Sequence, residues 1–147
     1  MAFRNTSTRT LADDRDLSTS VGIDYPVTKG NDINGYFMST TTTLAAAKNN
    51  VRMLLETQVG ERLMQPRLGT GLRRYLFEQY TDEIRIMIEN DIVDAFALWL
   101  PFITLLKIEI SMQEQTALGN NSMIISLTFA VSSDPNNTES VSVSIGE

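Results

Sequence analysis

Neither cysteine nor histidine occurs among the 147 residues of the chain. Without cysteine there can be no disulfide, no thiol nucleophile and no thiolate metal site. Without histidine the chain lacks the commonest general base and the commonest metal ligand. Ser-His-Asp catalysis and histidine-bound zinc are therefore excluded, and we expect neither a metal nor a cofactor. The composition favours a binding or structural role over an enzymatic one.

Long apolar runs are also missing. No stretch approaches the roughly 18 residues that span a bilayer, and the N-terminus lacks the apolar segment of a secretory signal. We therefore expect no membrane contact, and synthesis and action in the cytoplasm or in an assembly built there.

Positive charge is in the minority. The formal net charge of −6 argues against nucleic acid as the main partner. Basic residues nevertheless gather between residues 48 and 74, where six of them stand against two acids. Such a local excess favours neighbours of opposite charge, although a chance difference between solvated faces explains it equally well.

The length fits one domain with a sizeable core. Residues 1–20 are rich in Ser, Thr, Asp and Arg and show no periodicity, which predicts a flexible N-terminal arm. Residues 21–147 then form a single domain. Its first part offers weak strand signals over residues 21–27 and 33–38, and the threonine run that follows supplies an N-cap for a helix.

Three helices are predicted. Apolar residues recur at three- and four-residue steps over residues 43–58, and Gly60 is expected to end this helix in a left-handed conformation. A shorter helix follows over residues 72–80. Thr81 is expected to cap a third helix, which ends before Pro101. The helical aromatic residues are predicted to lie in the core: Tyr75, Phe77, Tyr80, Phe96 and Trp99.

Alternating patterns then predict three half-buried strands, over residues 106–112, 123–131 and 141–145. Turns are expected at residues 118–121 and 133–137. The apolar face of the first strand is assigned to Leu106, Ile108, Ile110 and Met112. The fold class is therefore α+β, with three helices packed on a small antiparallel sheet that ends in a three-strand meander.

The last strand is short and free of proline, and its residues are Val141, Ser142, Val143, Ser144 and Ile145. If it lies at the sheet edge, its free N–H and C=O groups can accept a strand of another chain. An ordinary terminal strand without a partner is the alternative, and the pattern alone favours that alternative.

Residues 59–71 form an unusual connector between two predicted helices. It carries Val59, Leu63, Met64 and Leu68 beside its charges, which predicts an ordered segment that packs. Arg67, if buried, must be paired, and its partner is either internal, at Glu61 or Glu78, or supplied by another subunit.

Two chemical interpretations of this connector are weak. Its Gly69-Thr70-Gly71 stretch lacks the length and the lysine of a phosphate-binding loop. Glycoside hydrolysis needs two carboxyl groups, one of them protonated, and Glu61 stands beside Arg62. An arginine neighbour favours the charged carboxylate, which is wrong for a general acid, so hydrolase activity is disfavoured.

The connector also resembles a known family. Its relevant residues are Gly60-Glu61-Arg62, Met64, Pro66-Arg67 and Gly69, followed by Leu72 and Leu76-Phe77-Glu78. Together with Leu54-Leu55, Trp99 and Pro101, they are similar to the signature of baseplate wedge proteins of contractile phage tails. That family includes the sheath initiator and a similar component of type VI secretion systems. The resemblance covers residues 44–110, and Gln65 replaces the glutamate of the family's Glu-Pro-Arg motif.

The resemblance implies a virion protein of the tail baseplate, assembled in the host cytoplasm and similar in fold to the tail-sheath core domain. It implies contact with the helical bundle of other wedge proteins and a sheet on which the first ring of tail sheath protein adds strands. Tail tube or hub proteins are further candidate partners, whereas nucleic acid and membrane are not expected. The expected contact residues are Glu61, Arg62, Gln65, Pro66, Arg67 and residues 141–145.

Two alternatives stay open beside this role. The family has also carried a lysozyme label, which would make the chain a peptidoglycan-degrading enzyme. The same structural role could also belong to a type VI secretion system or a tailocin.

Overall fold

The chain has a mixed α+β fold. The structure is a computed structural model that describes residues 20–30, 35–79, 81–115 and 120–146. Its elements are β1 (Gly22–Ile23), β2 (Ser39–Thr40), α1 (Thr43–Glu56), a 3₁₀ helix (Leu72–Phe77), α2 (Asp82–Trp99), β3 (Ile103–Gln115), β4 (Asn120–Val131) and β5 (Asp134–Ile145). This confirms the predicted α+β class, with helices on a C-terminal three-strand meander. None of the helices in these residues is long and apolar enough to cross a bilayer.

Helix α1 follows its predicted pattern at the start but not at the end. The side chain of Thr42 accepts a hydrogen bond from the Ala45 N–H at 3.3 Å, so the threonine run does cap the helix. The helix ends at Glu56, because the backbone of Thr57 is extended, with ψ of 128°. The N–H and the hydroxyl of Thr57 cap the helix end by donating to the Met53 carbonyl, at 3.1 Å and 2.6 Å. The prediction that Gly60 ends the helix is therefore wrong.

Helix α2 begins and ends as predicted. The Thr81 hydroxyl accepts from the Ile84 N–H at 3.4 Å, and the helix stops at Trp99, before Pro101. Its inner face consists of Ile88, Ile92, Ala95 and Phe96, all buried.

The predicted middle helix is present as a 3₁₀ helix that ends at Phe77, short of the predicted residue 80. It buries Leu72, Tyr75 and Leu76, whereas Phe77 is 88% exposed. Three residues per turn place Phe77 on the same side as the exposed Arg74. The prediction that Phe77 lies in the core is therefore wrong, and Tyr80 lies outside the described residues.

The main sheet is antiparallel with the strand order β3-β4-β5. Central strand β4 turns alternate side chains into the core, as predicted: Met123, Ile125, Leu127, Phe129 and Val131. In β3 a register shift between Leu105 and Lys107 leaves Leu106 as an extra residue. Leu106 is consequently 55% exposed, and its assignment to the apolar face is wrong.

Strand β5 is longer than the predicted segment 141–145, because it starts at Asp134 and includes Pro135. The predicted turn over residues 133–137 is wrong: the connection from β4 ends at Ser133, beside a register shift between Ala130 and Val131. The other predicted turn, residues 118–121, lies mostly outside the described residues.

The N-terminal part is attached to α1. Strand β1 pairs with β2, and the Asn49 amide donates to the Ile23 carbonyl at 3.3 Å. The hydroxyl of Tyr25 donates to Glu56. Strand β2 thus falls in the threonine run and not in the predicted segment 33–38. The predicted arm, residues 1–20, lies outside the described residues except for Ser20.

Candidate functional site

Residues 58–70, here called the tip loop, connect α1 to the 3₁₀ helix through three β-turns. In each turn the N–H of the fourth residue donates to the carbonyl of the first: Glu61 to Gln58 at 3.2 Å, Gln65 to Arg62 at 3.2 Å, and Leu68 to Gln65 at 3.0 Å. Gly60, with φ of 91°, holds the third position of the first turn, where a positive φ is needed in type II. Pro66 holds the second position of the last turn, which it favours.

The base of the tip loop is held tightly against the end of α1. The buried Thr70 donates from its N–H to the Thr57 carbonyl at 3.3 Å and from its hydroxyl to the Leu55 carbonyl at 3.2 Å. Above the base, the Gly60 N–H donates to the Pro66 carbonyl at 2.7 Å. The Glu61 carboxylate accepts from the Gln58 N–H at 3.0 Å. The loop is thus ordered, as predicted, largely by backbone hydrogen bonds.

The apolar side chains of the tip loop do not pack as predicted. Leu63 is 99% exposed and Met64 is 91% exposed, since they are the two central residues of the second turn and point away from the base. Val59 is also exposed. Only Leu68 packs against the core.

The two arginines of the tip loop lie at its surface. Arg62 donates to the Met53 sulfur at 3.4 Å. Arg67 is exposed and borders an open cleft against α2, together with Asp94 and Trp99. Within the described residues no hydrogen bond or ion pair involves its side chain. Arg67 is thus not buried, and of the two partners considered for it, an internal one at Glu61 or Glu78 is not found in the described residues.

The same cleft contains an ionic contact that sequence reasoning missed. Arg74 forms an ion pair with Asp91, and the Tyr75 hydroxyl accepts from Arg74 at 2.7 Å and donates to Asp91 at 2.7 Å. Burial, followed by the hydrogen bond to Asp91, raises the pKa of Tyr75. The hydrogen bond to Tyr75 is the first cause of the raised pKa of Arg74. No local pattern could have indicated this contact, because Asp91 lies on the far side of the cleft.

The raised pKa of Tyr75 predicts a loss of stability at high pH. The folded protein holds the phenol proton more tightly than the unfolded chain does. This contribution is therefore complete below the ordinary tyrosine pKa of about 10 and is lost as the pH rises through the folded value. Urea unfolding from neutral pH to about pH 11 should show a falling free energy of unfolding. The free energy of unfolding should fall less with pH in Tyr75→Phe. An equal fall in both proteins would show that Tyr75 is not the group responsible.

Two carboxylates near the tip loop accept hydrogen bonds from other groups of the protein. Asp91 accepts from a guanidinium and a phenol, and Glu61 accepts from a backbone N–H. Glu78 is exposed at the end of the 3₁₀ helix. A glycosidase needs two carboxyl groups that face each other across the sugar, whereas Asp91 and Glu61 are each engaged within the protein by these hydrogen bonds. No cluster of three or more acidic side chains in the described ranges could hold a metal ion.

The second surface of interest is the outer edge of β5. This strand is terminal in the sheet. Val141, Val143 and Ile145 point into the core, while Ser142 and Ser144 are exposed. The other terminal strand, β3, contains the bulge at Leu106 and carries the exposed ion pair of Lys107 with Glu109. The hydrogen bond from Lys107 lowers the pKa of Glu109.

The two surfaces meet at one groove. The end of β5, with Ser144 and Gly146, forms one side, and Gln58 at the base of the tip loop and Phe77 form the other. Of the sequence-predicted contact residues, Ser144 and Ile145 line this groove, whereas those of the tip loop do not. Among the large apolar residues that the structure describes, Leu63, Met64 and Phe77 are the most exposed.

Comparisons with known proteins give a family and two similar structures. The family model described as baseplate wedge protein gp25 matches residues 41–136. A solved structure of a candidate tail lysozyme from Geobacter sulfurreducens is similar, with 25% identity, a TM-score of 0.59, and coverage of 74% of this chain and 94% of that chain. A chain of the anti-feeding prophage baseplate is similar with 24% identity and a TM-score of 0.62, and covers 75% of this chain and 83% of its own. No curated protein sequence matches.

Proposed function

We propose a structural role in a contractile-tail baseplate for this chain, which belongs to the baseplate wedge protein gp25 family, as its sequence resemblance predicted. In this proposal the tip loop attaches the protein to the helical bundle of other wedge proteins, and the edge of β5 templates the first ring of tail sheath protein. Tube or hub proteins are further neighbours, and the protein is part of the virion after assembly in the host cytoplasm. A type VI secretion system or a tailocin would use the same two surfaces.

The free edge of β5 is the observation that carries the proposal. Along the outer edge of an antiparallel sheet, every second residue presents an unpaired N–H and C=O. Each hydrogen bond to an added strand contributes about 0.5–1.5 kcal/mol net. Over residues 141–145 the edge has no proline, and its exposed side chains are the small Ser142 and Ser144, so no side chain of this segment obstructs an added strand.

Strand β3 is a poorer template than β5. Its bulge interrupts the regular spacing of edge groups at Leu106, and charged side chains follow at Lys107 and Glu109. Bulges and charges are the features by which natural sheets prevent edge pairing. We therefore assign the templating edge to β5.

The tip loop is proposed as the second contact surface. Arg62, Gln65, Pro66 and Arg67 are exposed on an ordered scaffold, which lowers the entropy cost of binding. Glu61 differs from them, because its carboxylate accepts the Gln58 N–H and so orders the loop.

The edge assignment can be tested with single cysteines, because the chain has none of its own. Glu109, Ser126 and Ser142 lie in one row across β3, β4 and β5. An added strand lies about 4.8 Å from β5, within reach of a disulfide only from Ser142. In assembled particles, Ser142→Cys should therefore form a disulfide with one member of a cysteine scan along the sheath subunit, and Ser126→Cys should not.

Two outcomes of this test contradict the proposal. A disulfide from Glu109→Cys in place of Ser142→Cys would move the template to β3. If the particles contain the normal amount of this protein but show no disulfide from either edge, the proposal of strand addition is contradicted. Deletion of residues 141–145 would be uninformative, since Val141, Val143 and Ile145 belong to the core and their loss would unfold the protein.

A further inference from the structure

The end of the tip loop exposes two large apolar side chains almost completely, Leu63 at 99% and Met64 at 91%. We propose that these two side chains form an apolar knob that inserts into an apolar socket, bordered by carboxylates, on another protein of the baseplate. The inference rests on the proposed function, because it specifies how the tip loop attaches. It assigns the main contact to residues that the family resemblance does not single out for that role.

The knob is presented by a rigid support. The turn that carries it is closed by the Gln65 N–H on the Arg62 carbonyl at 3.2 Å, and the loop is closed by the Gly60 N–H on the Pro66 carbonyl at 2.7 Å. Neither bond uses the side chains of Leu63 or Met64. A preorganised apolar projection loses little conformational entropy when it is buried, which is the condition under which a few side chains dominate an interface.

Charge indicates the chemistry of the socket. Arg62 and Arg67 flank the knob and are exposed, while the carboxylate of Glu61 is turned towards the Gln58 N–H. In the described residues neither arginine forms an ion pair. Since Arg62 contacts Met53 of α1 and Arg67 borders the cleft against α2, the loop is apolar at its tip and positive along its sides. A socket with acidic residues at its border complements this pattern.

Two other occupants fit the pattern less well. A second copy placed tip to tip would bring the same positive arginines together. An anionic lipid surface would accept the arginines, but two side chains bury little apolar area, and stable membrane attachment generally takes two anchoring signals. A protein socket is the occupant that uses both the shape and the charge of the loop.

The test uses the full chain with Leu63→Ser and Met64→Ser combined, and Leu106→Ser as a matched control, because Leu106 is an exposed apolar residue elsewhere. Since Leu63 and Met64 support no part of the fold, the double variant should keep the melting temperature of the parent. Its affinity for wedge complexes assembled without this subunit should fall at least about tenfold. Leu106→Ser should bind like the parent, and Arg62→Glu with Arg67→Glu should also weaken binding.

A photoreactive benzoyl-phenylalanine at Leu63 identifies the socket in assembled particles. Crosslinks to one baseplate protein, at a site with apolar and acidic residues, would support the proposal. Unchanged affinity of the double serine variant would overturn it, as would crosslinks to a site without carboxylates. A dimer of the free parent that the serine variant abolishes would also overturn it in favour of a second copy. Binding to phosphatidylserine vesicles that the variant abolishes, with normal affinity for wedge complexes, would overturn it in favour of lipid.

These outcomes are separable from failure of the proposed function. If the parent protein is present in baseplates and Ser142→Cys forms its disulfide with sheath, the proposed function stands whatever the knob variants do. If the parent is absent from baseplates, the proposed function fails, and the knob proposal that rests on it is overturned as well.

Discussion

Replacement of Gly69 by alanine should destabilise the protein by about 3 kcal/mol or more. Gly69 has a φ of 118°, and an added Cβ would lie 2.3 Å from the Thr57 carbonyl oxygen and 2.9 Å from the carbonyl carbon of Gln58. Both contacts are with backbone, so no side-chain rotation relieves them. The chain would have to open the hydrogen bond between Thr70 and Thr57 that forms the base of the tip loop.

Thermal unfolding measures this effect, and Gly60→Ala is its control. A loss of 3 kcal/mol corresponds to a fall in melting temperature of about 6–12 °C for a chain of this size. Gly60 also has a positive φ, of 91°, but a Cβ there meets nothing within 4 Å. Gly60→Ala should therefore cost only about 1 kcal/mol. Equal losses in the two variants would mean that the base of the loop yields to the added methyl group.

The second large effect is expected in the centre of the sheet. Phe129 is fully buried in the middle strand, where it lies opposite Leu105 on β3 and Glu139 on β5. Phe129→Ala removes a buried ring, and the paired strands on both sides prevent the cavity from closing. We expect a loss of about 3–5 kcal/mol in the free energy of unfolding.

Urea unfolding tests this prediction, with Thr128→Ala as the control. Thr128 is the preceding residue of the same strand and points to the half-exposed outer face, so its loss should cost below about 1 kcal/mol. A cost below about 1 kcal/mol for Phe129→Ala as well would contradict the assignment of Phe129 to the core. If Phe129→Ala is too unstable to purify, Phe129→Leu, which keeps most of the volume, should retain a measurable transition.

Much of the fold could be predicted from local sequence patterns. Thr81 and Pro101 bound α2 because capping and proline sterics act within a few residues. The alternation in β4 indicates its inner face, because the side chains of a strand have a period of two. Leu106 shows where this reasoning ends: a bulge shifts the period of β3 by one residue, and its position depends on pairing with a strand more than twenty residues away.

The candidate site was predicted only in part. The apolar residues of the connector predicted an ordered segment that packs; the structure confirms the order, but of these residues only Leu68 packs against the core. The exposure of Leu63 and Met64 could not be predicted, because the sequence alone does not distinguish an apolar residue that binds a partner from one that is buried in the core. The ion pair of Arg74 with Asp91 depends on how α2 crosses the 3₁₀ helix, which local patterns do not encode.

The bulge in β3 has a consequence for how copies of this protein can associate. A sheet with two open edges can join β5 of one copy to β3 of the next, and such a head-to-tail contact repeats without limit and produces fibres. The extra Leu106 and the neighbouring charges make β3 a poor acceptor, which leaves each copy with one usable edge. Association through that edge ends after a single step. The irregular strand thus limits association of copies by strand pairing to a single pair joined at their β5 edges.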